Sequence, residues 1–152
     1  MDIFILRHGE AFPNAPSDAQ RELTPQGCKR VEQVVHQHLL DKKINIETII
    51  VSPLVRAQQT ASIAKTVLHF NASLETTDFL LPEASPIELL NFIASKTITS
   101  VLLVSHLPLV GDLLSVLIDG NAHSGMHLPT AGLAYVQAEY AAPSMGKLMW
   151  VH

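Results

Sequence analysis

Histidine and arginine are the residues of this chain whose placement suggests chemistry. Arg7-His8-Gly9-Glu10 follows directly on the apolar run Ile3-Phe4-Ile5-Leu6. Imidazole can attack as a nucleophile or exchange a proton near neutral pH, and guanidinium is the fork-shaped donor suited to phosphate oxygens. Taken alone, His8 reads equally well as a turn histidine and Gly9 as a turn glycine. Ser52-Pro53-Leu54-Val55-Arg56-Ala57 follows a second apolar run, Thr48-Ile49-Ile50-Val51. With Ser52 as cap and Pro53 at the first helical position, Arg56 falls in the first helical turn. A cation there opposes the helix dipole by roughly 0.3–1 kcal/mol. Helical side chains also lean back toward the N-terminus, where free backbone N–H groups favour an anion. Arg56 therefore points to an anion site more than to a surface arginine held by a carboxylate. Ser105-His106-Leu107-Pro108 follows a third run, Val101-Leu102-Leu103-Val104. His106 by itself reads first as a satisfied interior histidine. Arg21, in a long loop, reads as a loop arginine paired with Glu22 or Asp18 unless it joins the same site.

The elements that must position these residues alternate along the chain. The three apolar runs are rich in β-branched residues and suit strands buried on both faces, as in a parallel sheet. Thr24-Pro25 marks a helix start, with Cys28, Val31, Val35 and Leu39 on one face. Ser52-Pro53 marks a second, followed by Leu54, Ala57, Ala61, Ala64 and Leu68. Ser85-Pro86 marks a third, ahead of Ile87, Leu90 and Ile93. A fourth helix runs from near Pro108 to Ile118, and Asp119-Gly120-Asn121 turns the chain. Residues 121–130 read as a loop. Leu133–Ala138 and Lys147–Val151 read as two late strands. The expected fold is a three-layer α/β sandwich, helices on both faces of a mostly parallel sheet with one antiparallel strand. Arg7-His8, Ser52–Arg56 and Ser105-His106 all fall at carboxyl ends of parallel strands, the edge where open α/β sheets bind ligands. Two histidines and two arginines thus have a route to one pocket.

Composition narrows the classes. A chain of 152 residues with 47% hydrophobic residues is expected to form a single domain over 1–152. Ten Lys and Arg face fourteen Asp and Glu, for a net charge of −4. That balance disfavours nucleic acid and anionic membranes as partners. No apolar stretch is long enough for a membrane span. Met1-Asp2-Ile3-Phe4 does not fit a secretory signal, and the lone Cys28 cannot form an internal disulfide, so a cytoplasmic location is expected.

Taken together, Arg7-His8-Gly9, Leu23-Thr24-Pro25-Gln26-Gly27, the run Ser52-Pro53-Leu54-Val55-Arg56-Ala57-Gln58-Gln59-Thr60-Ala61 and Ser105-His106 occur in the order found in one family. The sequence resembles the histidine phosphatase superfamily, also called phosphoglycerate-mutase-like or RHG. Within it the chain is most similar to the SixA-type phosphohistidine phosphatases, through its shortness and the run Ser105-His106-Leu107-Pro108-Leu109-Val110-Gly111. Larger members carry insertions over the site, and little chain remains here for a lid. The resemblance implies a phosphoglycerate-mutase-like sandwich and a phosphatase working through a phosphorylated His8. Arg7, Arg56 and His106 would bind the phosphoryl group, with Arg21 as a further phosphate-binding arginine. It implies no cofactor and no metal, because arginines supply the positive charge. Its substrate would be a phosphohistidine-bearing protein, a histidine phosphotransfer domain or a phosphocarrier, met by a monomer. Glu83 is the well-placed carboxylate for a general acid; its plain reading is a loop acid near the next helix start, favourable there anyway.

Alternatives remain at this stage: a phosphatase of small phosphate esters, a non-catalytic phosphate or phosphoprotein binding domain, and a metallohydrolase. No G-x-G-x-x-G follows the first strand, which argues against dinucleotide binding. His36 and His38 do not share a helical face. His123 and His127 read as loop residues around Gly125, His69 and His152 have no evident partner, and Cys28 reads as a buried core residue.

Overall fold

The computed structural model describes residues 1–122 and 125–152; His123, expected in a loop, lies outside them. Six strands form one sheet: β1 (Asp2–Arg7), β2 (Thr48–Val51), β3 (Glu75–Thr76), β4 (Ser100–Ser105), β5 (Leu133–Ala138) and β6 (Gly146–Val151), in the order β3-β2-β4-β1-β5-β6. β3, β2, β4 and β1 are mutually parallel, and β5 runs antiparallel to both β1 and β6. β5 is thus the one reversed strand, as expected.

Helices α1 (Pro25–Val35) and α2 (Val55–Val67) cover one face, and α3 (Pro86–Ala94) and α4 (Leu109–Asp119) cover the other. The strands sort their side chains by alternation. Phe4 and Leu6 point to a core with Val31, Val35, Leu39, Ala57 and Ala61, while Ile3 and Ile5 join Leu90, Ile93, Leu113 and Leu117. Burial on both faces explains why β1, β2 and β4 are continuous apolar runs.

Two helix starts follow the cap chemistry of their sequence. Thr24 accepts from the Gly27 N–H and Ser85 from the Glu88 N–H, each followed by proline. The start expected at Ser52-Pro53 is corrected. The Ser52 N–H still donates to the Val104 carbonyl across the sheet, Leu54 is extended, and the helix begins at Val55. Arg56 is therefore its second residue. α1 runs on into a π turn over His36–Leu40, and α4 closes on Gly120 at φ +82, a left-handed C-cap that glycine adopts without strain.

Two expected core positions also change. Ile87 is 43% exposed, because Leu89, Leu90 and Ile93 form the buried stripe of α3. Cys28 is half-buried and borders the groove between α1 and α2. His152, read as without a partner, stacks on His38 with ring centroids 3.7 Å apart.

Candidate active site

Strand register assembles the centre. β1 pairs with β4 so that Arg7 lies opposite Ser105, and β2 pairs with β4 so that Val51 lies opposite Val104. The next residues of all three strands leave the sheet at one edge. His8 and His106 emerge side by side with ring centroids 5.0 Å apart, and Ser52 reaches His106. The His8 N–H donates to the Ser105 carbonyl, which ties the two exits together.

Close backbone approach fixes the turn after β1. A Cβ on Gly9 would lie 2.8 Å from Val31 Cγ2 and 2.9 Å from the Gly27 carbonyl oxygen. One on Gly27 would overlap the Glu10 carbonyl. Both positions therefore need glycine so that the segment after His8 can press on α1.

His8 is 7% exposed and His106 1%. His8 Nδ1 stands 2.7 Å from the Gly9 carbonyl oxygen. A carbonyl only accepts, so Nδ1 carries the proton and Nε2 keeps its lone pair. Burial, reinforced by the Arg56, Arg7 and Arg21 charges, lowers the His8 pKa to about 4 despite that hydrogen bond. Burial, then His8 and Arg56, lower His106 to about 3. Both rings are neutral at pH 7.

The arginines surround them. Arg7 donates through Nη1 to the Leu128 carbonyl at 2.9 Å. Arg56, 5% exposed, donates through Nη1 to the Asp18 carbonyl at 2.7 Å and through Nη2 to its carboxylate at 3.0 Å. The same carboxylate accepts from Arg21 Nη1 at 3.1 Å, so Arg21 does pair with Asp18. The two arginines hold the exposed Asp18 carboxyl below its usual pKa, the hydrogen bond from Arg21 contributing most. The loop carrying Asp18 is pinched at its neck, where Ala11 bridges Leu23 and the Phe12 N–H donates to the Glu22 carbonyl. Arg7 Nε, Arg56 Nε and His106 Nδ1 are buried and have no hydrogen-bond partner among the described residues.

The structure thus brings Arg7, His8, Arg21, Arg56 and His106 to one sheet edge. Glu83 is exposed. It borders a cavity of about 400 Å³ whose wall also includes Asp18, Leu54 and Asp78. No hydrogen bond joins Glu83 to His8 or His106 among the described residues. No cluster of three or more His, Cys, Asp or Glu able to hold a metal ion occurs among the described residues.

Sequence reasoning missed Ser52. Its hydroxyl lies 2.8 Å from His106 Nε2 and is fully buried, so it orients the second histidine rather than capping a helix. The Ser-Pro pair signals a helix start equally well, and nothing local distinguishes the two roles.

A family model described as "Histidine phosphatase superfamily (branch 1)" matches residues 3–80. The chain is 37% identical over 128 residues to the phosphohistidine phosphatase SixA of Escherichia coli, covering 80% of this chain and 76% of the relative. It is 40% identical over 126 residues to a phosphohistidine phosphatase SixA homolog of Haemophilus influenzae, covering 77% of each. A solved structure of the protein histidine phosphatase SixA complexed with tungstate superposes with a TM-score of 0.90 at 32% identity, covering 99% of this chain and 96% of that one.

Proposed function

This chain belongs to the histidine phosphatase superfamily, and we propose that it is a phosphohistidine phosphatase acting through a phosphorylated His8. The observation that carries this reading is the state of His8: a neutral ring whose Nδ1 is committed to Gly9 and whose Nε2 lone pair is free, held among three arginines. A tungstate-bound relative of the same fold supports an oxyanion site, since tungstate has the tetrahedral shape of phosphate.

In the first step the His8 Nε2 lone pair attacks phosphorus, and the bond from phosphorus to the substrate's imidazole nitrogen breaks. The electron pair leaves with that imidazole, which departs neutral when its other nitrogen is already protonated. In the second step a water oxygen attacks phosphorus, the pair of the P–N bond returns to His8 Nε2, and inorganic phosphate leaves. Arg7 Nε, Arg56 Nε and His106 Nδ1 are the donors the phosphoryl oxygens would meet. Where the Ser52 hydroxyl donates to Nε2 of His106, Nδ1 carries the ring proton and becomes such a donor. Preorganised donors in a dry site stabilise the charge that spreads over the oxygens in transfer. Arg21 and Asp18 stand at the rim, where an incoming phosphoryl group competes with the Asp18 carboxylate for the guanidiniums.

Positive charge comes from arginine, so the reaction needs no metal in this reading, and chelators leave the rate unchanged. The substrate is a protein-borne phosphohistidine, met by a monomeric single domain in the cytoplasm. No helix among the described residues is long and apolar enough to cross a membrane. Glu83, on the wall of the cavity it shares with Asp18, is the acid candidate. Phosphoimidazole needs acid help less than an alkyl phosphate does, so Glu83→Gln should lower turnover of a phosphohistidine protein by less than about threefold. Assays on a phosphohistidine protein and on sugar phosphates, with wild type and Glu83→Gln, test this. A preference for alkyl phosphates that disappears in the variant would favour a small-ester phosphatase instead.

A further inference from the structure

We propose that Thr60 is a positioning residue for the nucleophile: its buried hydroxyl sets the orientation of Gly9 and, through Gly9, the tautomer and aim of the His8 ring. Thr60 lies on the inner face of α2 and is fully buried. Its Oγ1 donates to the Arg56 carbonyl at 2.7 Å, which fixes where its single proton points. The same oxygen then accepts from the Gly9 N–H at 3.1 Å, across 51 residues of sequence. Gly9 in turn offers its carbonyl to His8 Nδ1 at 2.7 Å. One hydroxyl therefore links the turn of α2 that carries Arg56 to the backbone that holds the nucleophile.

The relay matters because Gly9 joins two peptide units: the Thr60 hydroxyl on its N–H and the Ala131 N–H on the His8 carbonyl hold the first, and the second presents the Gly9 carbonyl to His8 Nδ1. Glycine has the widest backbone freedom of any residue, and this one lacks a side chain because Val31 and Gly27 crowd the space a Cβ would take. Packing confines it from the α1 side; the Thr60 hydroxyl holds it from the α2 side. If the loss of the Thr60 contact lets φ and ψ of Gly9 shift, the Gly9 carbonyl leaves Nδ1, and the His8 proton is free to move to Nε2. That tautomer has no lone pair facing phosphorus. Arg56 and His8 must also meet one phosphoryl group, and a shared anchor keeps their spacing constant.

The proposal rests on His8 being the nucleophile, and its test is arranged to separate the two. Valine matches threonine in shape but offers no oxygen, whereas serine keeps the hydroxyl. In Thr60→Val the rate of His8 phosphorylation should fall about tenfold to a hundredfold, with substrate KM changed little, because misalignment acts on the attack rather than on binding. Nitrogen-15 NMR of the His8 ring should show the Nδ1–H tautomer in wild type and Thr60→Ser and a mixed population in Thr60→Val. Both measurements are made well below the melting temperature of each variant. Thr60→Ser should recover most of the rate. If Thr60→Val is merely less stable, with tautomer and rate as in wild type, the proposal is overturned. If wild type forms no adduct on His8, the nucleophile reading fails, while the tautomer comparison still decides what Thr60 does.

Discussion

At the scale of the residue, His8 is a histidine kept neutral in a cationic setting. His8 lies beside Arg7 and Arg56 and is removed from water, and both effects disfavour a proton. Its ring resonances should therefore titrate near about 4 in phosphate-free buffer, rather than near the ordinary histidine value of 6.5. A midpoint at 6.5 in an NMR titration would mean that the ring is solvated and the nucleophile is not preset. Arg7, His8, Arg56 and His106 were legible in the sequence because rare residue types stand at the ends of unmistakable apolar runs. Ser52 and Thr60 were not. Ser52 stands before proline, where a cap is the simpler expectation, and Thr60 gains its meaning only from Gly9, far away in the chain.

At the scale of the element, parallel register does what no local sequence signal could specify. Arg7 opposite Ser105 and Val51 opposite Val104 bring three strand ends into contact. The strands β1, β2 and β4 could be read from their composition, since a strand covered on both faces has no polar side to interrupt it. The two-residue β3 could not, because Glu75-Thr76 is too short to carry a period. The start of α2 was misplaced by two residues for a related reason: Ser52 still belongs to the sheet ladder, and the ladder outweighs the Ser-Pro start signal. The His8 turn lies close against α1. Gly27→Ala would drive a methyl into the Glu10 carbonyl and force the turn away from the helix. This variant should lose about 1–3 kcal/mol of stability in denaturant titration, together with activity. Wild-type stability and activity in Gly27→Ala would show that the junction is loose.

At the scale of the whole molecule, an acidic protein of net charge −4 gathers three of its four arginines at one edge of its sheet. Burial of three histidines has a consequence for folding. His8, His106 and His38 all have pKa values lowered in the folded state, chiefly by burial. The unfolded chain therefore binds more protons than the folded one once the pH drops below about 6.5. The stability they confer is present above that pH and is lost as pH falls toward the folded values of about 4 and 3 for His8 and His106. The melting temperature should decline over this window and decline less steeply when His8 is replaced by Asn; an identical slope in the variant would deny His8 its buried, neutral state. The general architecture was visible from the alternation of runs and helix starts, and Asp18 was already one of two partners expected for Arg21, while its reach to Arg56 was not, because that contact depends on the loop's final path over the site. The central claim is a covalent phosphoryl group on His8. Wild-type protein mixed with a radiolabelled phosphohistidine protein and quenched in alkali should carry an acid-labile, alkali-stable phosphate that maps to His8, and His8→Ala should carry none. Phosphate release at the wild-type rate by His8→Ala, or a label on any other residue, would contradict it.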